Sequence, residues 1–203
     1  LPDFYRKRPG RVISTAIDKF VYLAINRTPF IDKVSARYSA AETVNHPSEL
    51  QHTRIKAALL DLGIEKNIEI ASFASLPAKT GLGSSSTFSV ALVKGLNAFL
   101  GKKIDKYEVA EGASRLEIEL VGEPIGKQDQ YTAAYGGIMQ MEINRKGKVM
   151  VSRLNISQDT IEELQRNLFL FYTGITRDAS GILMDKKKNT AMSQQKSLEG
   201  MDQ

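Results

Sequence analysis

A chain of 203 residues with a net charge of +5, no cysteine and two histidines has no material for disulfides or thiolate metal centres. Hydrophobic residues at 42% and charged residues at 25% are the balance of an ordinary globular chain, enough for one large domain or one and a half. No apolar run approaches the ~20 residues of a membrane-spanning helix. The start, Leu1–Gly10, is polar and basic and lacks a secretory leader pattern. The basic residues are scattered and not interleaved with aromatics, which argues against a nucleic-acid surface. The expectation is therefore a cytoplasmic protein with neither membrane nor nucleic acid as partner, in keeping with a reducing compartment.

In chain order, residues 11–26 carry two apolar runs, Val12 to Ile17 and Phe20 to Ile25, interrupted at Asp18-Lys19. They predict two strands joined by a tight turn, with a third at 33–38. Pro47 and Ser48 open a helix whose stripe is Ile55, Ala58, Leu59 and Leu62, closed by Gly63. Residues 67–75 predict a strand, and the periodic run from Phe88 to about Leu100 a helix ended by Gly101. Asp105 with Glu108 reads as a capping box for a helix over about 106–121. Gly122-Glu123-Pro124 ends it. A hairpin follows Gly136-Gly137, with Met139, Met141 and Ile143 returning through Val149 and Val151. A short helix near 158–166, a buried strand at Leu168–Tyr172 and a polar helical tail complete the chain. Mixed strands, hairpins and helices make this an α+β chain.

The stretch with most chemistry is 77–87, Pro77-Ala78-Lys79-Thr80-Gly81-Leu82-Gly83-Ser84-Ser85-Ser86-Thr87. Glycines between a strand and a helix let the backbone take positive φ and approach a ligand. The first helical N–H groups lack intrahelical partners and, with the macrodipole, suit a phosphate. The serine and threonine hydroxyls can donate to phosphate or ligate magnesium. It is not a Walker A loop, because Gly83 is followed by Ser84, nor a dinucleotide fingerprint, because residue 86 is serine. The plain alternative is an ordinary helix start after a Gly/Ser linker.

A second cluster, Gly122 to Gly137, holds Asp129 between Gln128 and Gln130, with Lys127 close by. A carboxylate in a glycine-framed loop can act as a base; from spacing alone the preferred reading is the solvated aspartate of a common turn, which is rich in Asp, Gly and Pro. Glu117 and Glu119 read either as metal ligands or as a charged helix face. Tyr172-Thr173-Gly174-Ile175-Thr176-Arg177 reads either as a phosphate-facing strand end or as a terminus with a surface arginine.

Pro77-x-x-x-Gly81-Leu82-Gly83-Ser84-Ser85 resembles the ATP-phosphate loop of the GHMP small-molecule kinases. Gly126-Lys127-Gln128-Asp129-Gln130 with Gly136-Gly137 is most similar to the branch that acts on the anomeric hydroxyl of heptose 7-phosphate. The resemblance implies a two-domain fold. A mostly antiparallel sheet packed on helices would span 1–160, with its first strand missing, and 161–203 would begin a ferredoxin-like domain. It implies ATP cradled by Lys79, Thr80, Gly81, Leu82, Gly83, Ser84, Ser85 and Ser86. Mg2+ would be held by Ser85 and Glu117, with Glu119 as the competing ligand, and Asp129 would be the general base or the group that orients the acceptor. Asp3, Arg11, Lys127, Gln128 and Arg177 would contact the acceptor, Lys127 and Arg177 through its phosphate. The first motif and a late glycine-rich loop of such kinases lie outside the chain, so it is expected to be the middle of a family member, with a bare sheet edge and little turnover alone. The reaction implied is ATP-dependent phosphorylation of a sugar, with heptose 7-phosphate ahead of fucose or galactose; a ligand sensor or RNA-binding module on the same sheet is the rival of another class.

Overall fold

The computed structural model describes residues 5–76, 80–171 and 174. Asp3, Lys79, Arg177 and the rest of the segment after Phe171, Gly174 excepted, lie outside them. The described elements are β1 (Gly10–Thr15), β2 (Val21–Arg27), β3 (Val34–Arg37), β4 (Ala41–Val44), α1 (Thr53–Asp61), β5 (Ile68–Ala74), α2 (Ser84–Phe99), α3 (Lys106–Arg115), α4 (Gln128–Tyr135), β6 (Ile138–Ile143), β7 (Val149–Arg153) and α5 (Gln158–Asn167). The architecture is α+β, as expected. Two sheets form, in the orders β1-β6-β7 and β2-β5-β3-β4. All pairs are antiparallel except β3 with β5.

The hairpin expected over 11–26 does not form. β1 pairs with β6, Gly10 opposite Ile143 and Thr15 opposite Ile138, whereas β2 pairs with β5, Val21 opposite Ala74. The physical reason is burial. Val12 packs on a cluster of Tyr131, Met139 and Met141, while Leu23 and Ile25 pack on a different cluster built from Ile68, Ile70, Leu92 and Leu96. Alternation alone marks each strand but says nothing about its partner. The hairpin expected later in the chain is present as β6–β7.

Helix α2 joins the two halves. It lies close on β2 because Gly95 has no side chain: a Cβ there would sit 2.7 Å from Ile25 Cδ1. Leu92 and Leu96 are fully enclosed, and burying side chains of this size contributes roughly 1.5–3 kcal/mol each.

Three further expectations change. The helix expected to open at Pro47 starts at Thr53 instead, after a single 3-10 turn at Pro47–Glu49. Glu42 accepts the backbone N–H groups of Gln51 (2.6 Å) and His52 (3.2 Å), which pulls the chain out of helical hydrogen bonding. His52 Nδ1 then accepts from Ile55 N and caps α1. The capping box at Asp105 and Glu108 forms as read, at 2.7 and 2.8 Å. The helix it starts changes at Leu116–Leu120 to a wider turn, in which Val121 N donates to Leu116 O. Last, Leu168–Phe171 are exposed and not in a strand; an apolar run needs an edge to pair with, and none meets it among the described residues. The domain boundary expected at 160 falls within α5.

Candidate active site

The bend after β5 has the backbone its glycines predict. Gly81 has φ +79° and Gly83 φ +68°, ψ +21°. Gly83 stands at the N-cap of α2, and no side chain caps that end. Thr87 donates both its N–H and its hydroxyl to Gly83 O at 2.9 Å. Ser86 is buried and Ser85 exposed. The free amides of the first turn, the missing cap and the exposed Ser85 hydroxyl are groups that can receive an anion.

Asp129 does not lie in a loop. It occupies the first turn of α4, an eight-residue helix that the flanking glycines hid from a reading by pattern. Its carboxylate lies against the bend: a Cβ on Gly83 would meet Asp129 Cγ and Oδ2 at 3.2 Å. Crowding by neighbours, and then the charge of Glu117, raise its pKa above the ordinary aspartate range. Its free side opens on a cleft of about 580 Å³ whose walls include Gly81, Ser84, Thr87, Lys94 and, from β1, Ser14 and Thr15. Thr132, one turn along α4, bonds Ser14 (2.8 Å) and ties β1 to this wall.

Gly83→Ala tests the bend. A left-handed φ costs an L-residue roughly 1–2 kcal/mol, and the added methyl presses on Asp129. Urea unfolding is expected to show a loss of about that size.

Glu117 is fully buried. Its Oε1 accepts from Arg54 Nε at 3.0 Å, and its Oε2 accepts from Gln130 Nε2. Arg54 also reaches Glu123 through Nη2, at 2.7 Å. Glu119, the competing candidate, is 69% exposed and lies 3.9 Å from Arg115 Nε. Arg54 is the residue that reading by pattern misses: a basic residue in the first turn of an amphipathic helix is ordinary, and its partners lie 63 and 69 positions away.

The fit to a hard cation can be judged from these groups. Two carboxylates, Glu117 and Asp129, are near enough for one to raise the pKa of the other, and Gln130 Oε1 is buried with no protein partner. Carboxylate, amide and hydroxyl oxygens are the donors Mg2+ takes, but both Glu117 oxygens are engaged by Arg54 and Gln130, and no cluster of three or more acidic or histidine side chains able to hold a metal forms among the described residues.

Of the remaining expected acceptor contacts, Gln128 is exposed at the start of α4. Arg11 pairs with Glu142 at 3.0 Å. Lys127 Nζ pairs with both oxygens of Glu111, at 2.9 and 2.8 Å.

Residues 48–137 match the family described as "GHMP kinases N terminal domain". The chain is 34% identical over 135 residues to D-glycero-alpha-D-manno-heptose 7-phosphate kinase of Campylobacter jejuni subsp. jejuni serotype O:2, covering 66% of this chain and 39% of that protein. It is 33% identical over 140 residues to the L-fucokinase/L-fucose-1-P guanylyltransferase of Bacteroides fragilis, covering 68% and 14%. Among solved structures, one described as a D-glycero-D-manno-heptose 1-phosphate kinase from Bacteriodes thetaiotaomicron superposes with a TM-score of 0.70 at 27% identity, over 77% of this chain and 55% of that one. The chain thus spans well under half the length of the curated relatives named here. With the glycine bend at Gly81–Ser86 and Asp129 facing it, residues 48–137 are a GHMP kinase N-terminal domain.

Proposed function

We propose that the protein transfers the γ-phosphoryl group of ATP to the anomeric hydroxyl of a sugar, with D-glycero-D-manno-heptose 7-phosphate as the acceptor and the 1,7-bisphosphate as the product. The observation that carries this reading is the contact between Asp129 and Gly83. It puts a carboxylate beside the place where a helix start can hold the transferred phosphate. Phosphoryl transfer needs mainly positioning and charge neutralisation.

In this reading the bend from Thr80 to Ser86, with Lys79, binds the phosphates through amides and hydroxyls. Ser85 and Glu117 hold Mg2+, which supplies charge neutralisation to the phosphates when bound. Asp129 accepts the proton of the acceptor hydroxyl or orients it. Gln128, Asp3 and Arg177 belong to the acceptor side. Among the described residues no helix is long and apolar enough to cross a membrane, and a cytoplasmic enzyme supplying heptose for surface polysaccharide is the setting that suits an ATP-dependent reaction.

The likeness to an L-fucokinase at 33% identity favours a second reading, an unphosphorylated sugar as acceptor. A panel of heptose 7-phosphate, fucose and galactose, each with ATP and the full-length protein, decides between them. Turnover is expected with the heptose phosphate. Turnover confined to fucose or galactose reverses the assignment, and turnover with none of the three removes it.

A further inference from the structure

The start of α4 is gripped from outside the cleft. Glu111 of α3 receives the Lys127 ammonium on both of its carboxylate oxygens, and Tyr131 donates its hydroxyl to Oε1 of the same group. Lys127 and Tyr131 lie two residues to either side of Asp129, so one carboxylate holds the backbone that carries it at two points. Tyr131 is fully enclosed, and burial, followed by the bond to Glu111, pushes its hydroxyl far above the ordinary tyrosine range. The third contact of Lys127 is the Gly147 carbonyl at 3.4 Å, in the β6–β7 turn.

An ammonium has three donors, and here two go to Glu111 and the third to a carbonyl. The side chains of Lys127 and Glu111 are only 20% and 32% exposed. A substrate phosphate reaching Lys127 would have to displace Glu111 and strand a half-buried carboxylate, a costly exchange. We propose that Glu111 and Lys127 are positioning residues: they fix the first turn of α4 so that Asp129 stays against Gly83, and Lys127 does not contact the phosphate of the acceptor. This rests on the kinase reading above and reassigns Lys127 within it.

The test uses Lys127→Met, Glu111→Gln and the double variant in the full-length protein, assayed with ATP and D-glycero-D-manno-heptose 7-phosphate. A displacement of about 1 Å at a reacting group costs on the order of 100-fold. Each single variant is therefore expected to lower kcat by about 10- to 100-fold with the acceptor KM little changed. The double variant should be no worse than the worse single one, because both remove the same grip. Lys127→Met with raised KM and unchanged kcat, beside a Glu111→Gln protein that keeps its kcat, overturns the proposal. Glu111→Gln keeps the acceptor for Tyr131 and its size, so it serves if Lys127→Met fails to fold. If the unsubstituted protein turns over no sugar, the kinase reading fails by itself. The amide resonances of Gly83 and Asp129 then decide: shared displacement in both single variants supports the grip, and an unmoved Gly83 overturns it.

Discussion

Asp129→Asn is expected to abolish most turnover and, at the same time, to make the protein more stable at neutral pH. The first effect follows from removing a positioned proton acceptor, which contributes about 10²–10⁴-fold; steady-state kcat of the full-length protein measures it, with ATP affinity little changed. The second follows from the sign of the pKa shift. Asp129 is exposed towards the cleft, but the atoms crowding its carboxylate, and then the Glu117 charge, raise the carboxyl of the folded state above that of the unfolded chain, about 3.9. Between those two values the folded state binds the proton more tightly, so the contribution of this group to stability falls as pH rises through the folded-state pKa. Asparagine carries no such penalty. The stability difference between variant and parent should therefore be small near about pH 4 and grow towards neutrality, read from unfolding midpoints across pH. A variant that loses activity and also loses stability at neutral pH would contradict the environment described for Asp129.

Arg54→Met is expected to be the most destabilising single change around the site. Arg54 donates to Oε1 of the fully buried Glu117 at 3.0 Å and pairs with it across helices. Removing one side of a buried ion pair costs about 3–5 kcal/mol, because the other charge stays behind without a partner. Urea unfolding should show a loss of that order. Arg54→Lys should recover part of it, since an ammonium restores the charge but not the fork that serves Glu117 and Glu123 together. The double change Arg54→Met with Glu117→Gln should recover more stability than Arg54→Met alone, while leaving the proposed Mg2+ site without its carboxylate. Full stability in Arg54→Met would mean that Glu117 is not held as the geometry indicates.

What could be read without coordinates was whatever is written locally. Gly81 and Gly83 before a periodic helix name a tight bend because only glycine takes those φ values easily. Asp105 with Glu108 names a helix start because both hydrogen bonds of the box close within four residues. The β6–β7 hairpin shows in the alternation of Met139, Met141 and Ile143. The partners were not legible. β1 finds β6 across more than a hundred residues, and nothing in Val12 or Ile13 specifies that choice. Arg54 finds Glu117, and Lys127 finds Glu111, through helices whose mutual placement depends on how the apolar faces bury. α4 was hidden for a different reason: it has eight residues and the glycine-rich borders of a turn, and its helical state depends on the burial of Tyr131 against β6. The candidate site was thus legible as a set of residue types and not as a network.

The division of β1 and β2 between two sheets has a mechanical consequence. Only Ala16 to Phe20 run between them, and residues of this connection line the cleft beside Gly83. Six Cα-to-Cα steps span at most about 20 Å, so this tether caps how far the two sheets can part there. Lengthening it by a few glycines at Asp18-Lys19 would slacken the mouth of the cleft without touching any group placed in the chemistry.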